Sequence, residues 1–392
     1  MTTTTGITGT AFRLMLGATV LGFGGYALLL AVVPLWAAAG GAGALGAGAT
    51  TGVLMATTVA TQLLVPWLLV RLGYRWVLAL GLLFLGAPAP LLALSSHLAP
   101  VLAISAVRGV GFGLVTVAGS ALVAELVPAA QHGRAAGRYG LAVGLPQLVL
   151  LAAGPAMVDR LGFAVVFVAA GVLPLLGLLL VPGIRVPAGR APDPPAARVP
   201  GSLTRWAVPP VVAMLTCSIA QGGLITFLPL AVPDAGLLVA LALLATSAGG
   251  LLGRLVAGEL VDRRGWGGRL LAPGMLLAAI GLVVEVAAIG SGGGVLLAVG
   301  AAAVGVGFGA VQNDALTALF TAFGRARYGA ASAAWNIAFD AGTGLGAVGL
   351  GAVAEPFGFG AAFATAAALL CGGVLAVRLG PRSGVHGLAP PR

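Results

Sequence analysis

Apolar positions in this chain come in long runs rather than in alternation. Between short clusters of Arg, Gly, Pro and other polar residues lie twelve mostly apolar stretches, at 12–37, 46–70, 76–95, 99–125, 136–157, 162–182, 206–232, 236–260, 270–290, 294–321, 329–353 and 358–378. Each has roughly the 20 residues that an α-helix needs to cross a hydrocarbon layer about 30 Å thick. The one long polar interruption runs from Gly183 to Arg205 and holds Pro187, Pro192, Pro194, Pro195 and Pro200 with four arginines. Such a composition cannot pack an apolar face and reads as a linker. The pattern therefore predicts an all-α membrane protein with twelve transmembrane helices, divided as 1–182, a linker 183–205, and 206–392.

The two halves repeat. Arg108-Gly109-Val110-Gly111-Phe112-Gly113 returns as Gly305-Val306-Gly307-Phe308-Gly309, 196 residues on (305 − 109). Val33-Pro34-Leu35 answers to Leu228-Pro229-Leu230, Arg71-Leu72-Gly73 to Arg263-Arg264-Gly265, and Arg138-Tyr139-Gly140 to Arg327-Tyr328-Gly329, all in the same order. Two diverged copies of a six-helix unit explain this, and they predict two pseudo-symmetric bundles with a cavity between them. Arg108 breaks the symmetry, because Val304 stands at its place in the second copy.

Composition agrees. Apolar residues make up 59% of the chain and charged residues 8%, against about 25% charge in soluble domains, and the mean hydropathy is +1.09. The net charge of +10 does not point to nucleic acid, since the basic residues lie singly or in pairs between apolar runs instead of clustering on a soluble face. Cys217 and Cys371 stand alone in apolar runs, so neither a disulfide framework nor a metal site is indicated. The first run, Phe12 to Ala39, is longer than the 7–15 residues of a signal-peptide core and reads as a first span.

Charge also orients the spans. With the N-terminus inside, Arg13, Arg71, Arg75, Arg134, Arg138, Arg185, Arg190, Arg198, Arg205, Arg263, Arg264, Arg269, Arg325, Arg327, Arg378, Arg382 and Arg392 fall on the cytoplasmic side. Arg160 alone falls outside. Short cytoplasmic loops collect Arg, so both termini are expected in the cytoplasm of a bacterial inner membrane.

The segment Gly258-Glu259-Leu260-Val261-Asp262-Arg263-Arg264-Gly265 fits the pattern G-x-L-x-D-R-x-G and, with the twelve runs, the central linker and the half-length repeat, resembles the major facilitator superfamily. The first-half counterpart keeps Arg71 and Gly73 but has Pro66 and Val70 where the pattern has Gly and Asp, which predicts unequal latches between the halves. By the resemblance, Arg108 with its glycines matches a fourth-helix motif whose Arg faces the central cavity and is associated with proton coupling. Gly154-Pro155 resembles part of a fifth-helix motif of exporters, although Ala156-Met157-Val158-Asp159 lacks the glycines that follow there.

On the eleventh run Asn336, Asp340 and Thr343 share one helical face, which the resemblance turns toward the cavity, with Trp335 beside them. Asp340 and Arg108 are the expected proton-coupling charges. Tyr26, Thr58, Gln62, Gln147, Gln221, Gln312, Asn313 and Asp314 are further candidates for the substrate cavity, Asp314 equally for an interhelical hydrogen bond. Glu285 is expected to reach for the membrane interface, and Arg254 to partner the Glu259/Asp262 region. The three histidines, His97, His132 and His386, fall in loops or tail, and no G-x-S-x-G, HExxH or Walker sequence is present.

The reading is a proton-coupled secondary transporter, working as a monomer without a cofactor beyond the proton gradient, and exporting a small hydrophobic or amphipathic drug or metabolite. An uptake permease or facilitator is the alternative, and a membrane enzyme the distant one.

Overall fold

A computed structural model describes residues 6–128, 131–185, 201–232, 236–291, 293–323 and 327–379. The central linker residues 186–200, and Arg325, Arg382, His386 and Arg392 of the orientation and motif readings, lie outside the described residues.

The regular elements among the described residues are all helical. The first half holds α1 (Thr10–Leu30), α2 (Val32–Ala39), α3 (Ala44–Leu72), α4 (Tyr74–Gly86), α5 (Leu98–Leu126), α6 (His132–Leu161) and α7 (Phe163–Leu180). The second half holds α8 (Gly201–Ala231), α9 (Gly236–Arg264), α10 (Leu271–Ser291), α11 (Gly294–Phe323) and α12 (Tyr328–Leu379). Because α8 begins at Gly201, residues 201–205 belong to a helix and not to the expected linker.

The breaks follow from local chemistry. Pro34 has no N–H to give the carbonyl four residues back, at Leu30, and the helix of the first span parts there into α1 and α2. Pro88 and Pro90 close α4 and open a short 3₁₀ turn, Ala89–Leu94. Gly73 and Gly162 join α3 to α4 and α6 to α7 at φ 79° and 81°, a region that residues with a Cβ rarely adopt.

Eleven helical segments among the described residues are long and apolar enough to cross a membrane. That is one fewer than the apolar runs predict, because the last, Ala330–Leu379, continues for 50 residues through one non-helical position, Gly358, at φ 82° and ψ 168°.

Small residues set how closely the helices approach. A Cβ on Gly109 or Gly113 would collide with the backbone of α3 at Leu54 or Thr58, and one on Gly111 with α4 at Gly81. In the second copy Gly305 and Gly309 meet α9 at Thr246 and Gly250, and Gly307 meets α10 at Gly274. The two glycine series make equivalent helix contacts, as the repeat requires, and each lets backbones approach without side chains between them.

Apolar cores form on both sides of a central gap. Phe12, Met15, Met55, Leu78, Leu82 and Val115 centre the cluster in the first half. Met214, Phe227, Leu243, Met275, Leu282 and Phe363 centre the larger one in the second, which reaches across to Ala31, Leu151 and Ala152.

Candidate functional site

Between the halves lies a cavity of about 380 Å³, lined from α1, α5, α6, α8, α9, α11 and α12. That volume lies within the range of small-molecule sites, about 300–1,000 Å³. Aromatic rings form much of its wall. Tyr26 stacks on Phe112 with ring centres 3.8 Å apart, and Trp335 stacks on Phe339 at 5.8 Å.

One end is sealed by direct contact between α3 and α12. Gly48 lies against the Ala347 carbonyl, Gly351 against Ala44, and the Glu355 carboxylate accepts a hydrogen bond from the Leu45 N–H at 3.0 Å. Gly43 precedes that N–H, and any side chain there would occupy the space of the Glu355 carboxylate. A helix N-terminus of one half is thus capped by an acid of the other.

At the opposite, arginine-rich end the halves are apart. Gly140 and Gly144 line the cavity, yet a Cβ on either would meet nothing within 4 Å. Among the described residues, the motif residues there engage no partner across the gap. Asp262 is exposed without a hydrogen bond or ion pair, Arg263 pairs with Glu259 of its own helix, and Arg71 lies over Trp67 at 4.4 Å. Gly73 and Gly265 serve as positive-φ joints, and Gly258 approaches Asn313.

Of the residues singled out in the sequence, Tyr26, Gln147, Gln221, Gln312, Trp335, Asn336, Asp340 and Thr343 line the cavity. Gln62 stands behind Asp340. Its Nε2 donates to the Asp340 carboxylate at 2.7 Å and to Thr116 Oγ1 at 3.3 Å, so one amide ties α3 to α12 and to α5. Asp340 is 2% exposed and has no cation partner among the described residues, so its burial rests on that amide. Gln312 contributes its backbone carbonyl to the Trp335 indole N–H at 3.0 Å, and Asn336 donates back to Ser332 on its own helix. Thr58 donates to the Gly109 carbonyl, a packing contact between α3 and α5.

Other expectations are corrected. Arg108 does not line the cavity. It is buried inside the first half, where its guanidinium donates to the carbonyls of Gly25 and Leu85 at 3.4 Å each. Asn313 and Asp314 also stand outside the lining. Asp314 accepts from the backbone N–H groups of Gly268 and Leu270 at 2.6 and 2.8 Å, fixing the α9–α10 connection. Glu285 does not reach the membrane interface. It is fully buried, its side chain packs on Gly300, and both carboxyl oxygens lack partners. Arg254 does not partner the Glu259/Asp262 region but lines the cavity, its guanidinium 5.9 Å from the Trp335 ring centre.

Arg254 was readable. Ser247, Gly250, Leu251 and Arg254 recur at helical spacing on α9 and form its cavity face, and an ionisable group at depth in a span marks function by default. Among the described residues no group of three His, Cys, Asp or Glu side chains is arranged to hold a metal.

Comparison with known proteins gives the frame for this cavity. The sequence profile described as Major Facilitator Superfamily matches residues 14–347. No curated protein matches the chain. Among solved structures, a peptide transporter in complex with alafosfalin superposes with a TM-score of 0.79 at 15% identity, covering 93% of each chain. A bacterial homologue of the human lysosomal transporter Spinster, inward-facing and unoccupied, gives 0.73 at 13% identity over 94% of each. The nucleoside transporter NupG gives 0.71 at 13% identity, over 93% of this chain and 99% of its own.

Proposed function

Since this chain belongs to the Major Facilitator Superfamily, we propose that it is a proton-coupled secondary transporter that exports a small hydrophobic or amphipathic molecule by alternating access. It is a multi-pass membrane protein, and its fold is that of transporters rather than of enzymes. The observation that carries the proposal is Asp340, a buried acid at the cavity wall held by an amide from the other half. A group so placed takes up or releases a proton only as access to the cavity changes, which is how a proton and a substrate come to share one conformational cycle.

The proposal includes twelve spans in two six-helix bundles, 1–182 and 206–392. Gly358 lies 196 residues beyond Gly162 (358 − 162), the offset of the glycine repeat, and shares its backbone conformation. Gly162 separates two spans, so Gly358 is taken to separate the last two. The arginine-rich end faces the cytoplasm by the distribution of charge in short loops, which makes the described state inward-open with its outer end sealed by α3 and α12. The chain acts as a monomer in a bacterial cytoplasmic membrane, with both termini inside and no cofactor but the proton gradient.

Export rests on the likeness of Gly154-Pro155 to the exporter motif. Uptake is the second reading, favoured by Arg254, a cation on the cavity wall with no partner among the described residues. Proteoliposomes loaded with a panel of radiolabelled amphipathic metabolites and drugs, with and without an imposed pH gradient, test both. Gradient-driven flux that Asp340→Asn abolishes while downhill exchange persists is expected. Gradient-driven flux that survives the substitution removes Asp340 as the coupling site, and flux indifferent to the gradient makes the chain a facilitator.

A further inference from the structure

The charged side chains that line the cavity, among the described residues, are Arg254 and Asp340. They differ in one respect. Asp340 has the Gln62 amide at 2.7 Å, whereas among the described residues Arg254 has no hydrogen-bond or ion-pair partner, only the Trp335 ring at 5.9 Å. The acids nearby are committed elsewhere: Glu259 to Arg263, and Asp314 to the amides of Gly268 and Leu270. A guanidinium presents five donors in a fixed fork suited to a carboxylate or phosphonate. Water reaches it while the cavity is open, so a ligand that displaces that water must bring an acceptor for it.

The wall beside Arg254 offers the stacked rings of Trp335 and Phe339. Cation and apolar ring surface together describe a complementary molecule.

We propose that this cavity binds an aromatic organic anion, with Arg254 taking the acid group and Trp335 and Phe339 the ring. The assignment names the substrate class and rests on the reading of the cavity as a transport site, in either direction of transport. Equilibrium binding needs no gradient, so failure of proton coupling and failure of anion recognition are separate results.

The test uses indole-3-acetate, indole-3-acetamide and tryptamine, which share the indole ring and its N–H and differ in the charge of the side chain. Binding to the purified full-length protein in detergent is read by calorimetry. The acid binds about tenfold tighter than the amide, as expected for one charge-assisted bidentate contact, and tighter than the amine. Arg254→Gln removes the preference for the acid over the amide, and Arg254→Lys keeps part of it. The order among the three ligands in the unmutated protein stands whether or not the variants fold. An amine or amide that binds as tightly as the acid, no binding of the acid, or an acid preference that Arg254→Gln leaves intact overturns the assignment.

Discussion

Removing the Glu355 carboxylate should loosen the sealed end of the cavity by a calculable amount. The hydrogen bond from Leu45 N–H to Glu355 joins the halves where α3 begins, with Gly43 offering no side-chain cap of its own. A hydrogen bond to a charged group contributes about 1.5–3 kcal/mol net, and a charge at a helix N-terminus about 0.3–1 kcal/mol. Because Glu355 is exposed, solvent screening brings the total down to about 1 kcal/mol. At 1.4 kcal/mol per factor of ten, Glu355→Ala raises the ratio of outer-open to outer-sealed molecules about fivefold. Glu355→Gln keeps an acceptor but not the charge, and raises it about twofold on the same scale. Met55 reports the change, being buried on α3 with its Cβ against Gly344 of α12. A cysteine in its place, with the exposed Cys371 replaced by Ala, reacts with a membrane-impermeant thiol reagent added at the sealed face in proportion to the open population. Equal reaction rates in the presence and absence of the Glu355 carboxylate would refute the latch.

Asp314→Ala strips two acceptor contacts from the α9–α10 connection and should destabilise the protein by about 3 kcal/mol. The reading is a fall in thermal midpoint with the ligand order at the cavity unchanged; an unshifted midpoint contradicts the anchoring role. Glu285→Met replaces a fully buried acid without partners by an apolar chain of similar length, and stability should rise by about 1–3 kcal/mol. A lowered midpoint would mean that the carboxyl has a partner in the membrane.

The apolar helices were legible because bilayer thickness imposes a length on apolar runs that no other element in the chain mimics, although eleven such segments stand among the described residues where the runs predict twelve. The last boundary was placed between runs 329–353 and 358–378, yet one helix continues across it and only Gly358 departs from helical geometry. Which face of each helix meets the cavity was harder to read. Lipid and protein interior are both apolar, so the contrast that reveals the buried face of a soluble helix is weak here. Asn336, Asp340 and Thr343 succeeded because three polar residues at helical spacing have one face to share. Arg108 misled because its direction is set by its neighbours: Gly109, Gly111 and Gly113 press α5 onto α3 and α4, and the arginine turns to the carbonyls of Leu85 and Gly25. No residue type announces that. Glu285 misled for a related reason, since a snorkelling acid and an acid packed on a glycine look alike in a sequence.

The two cavity charges bear on the direction of transport. With Arg254 charged and Asp340 ionised, the empty cavity is neutral, and an organic anion seated on Arg254 leaves it with one negative charge. Carrying an uncompensated charge through the bilayer is expensive, and a proton on Asp340 removes it. An anion and a proton then occupy the cavity together and travel the same way, which is symport. A cationic substrate reverses the logic: it competes with the proton for Asp340, and exchange in opposite directions follows. The Arg254 and Asp340 substitutions therefore decide more jointly than either does alone. Anion binding that requires Arg254, combined with gradient-driven flux that requires Asp340, argues for proton–anion symport and hence for uptake down the inward proton gradient. Preference for the amine, with the same dependence on Asp340, restores antiport and export.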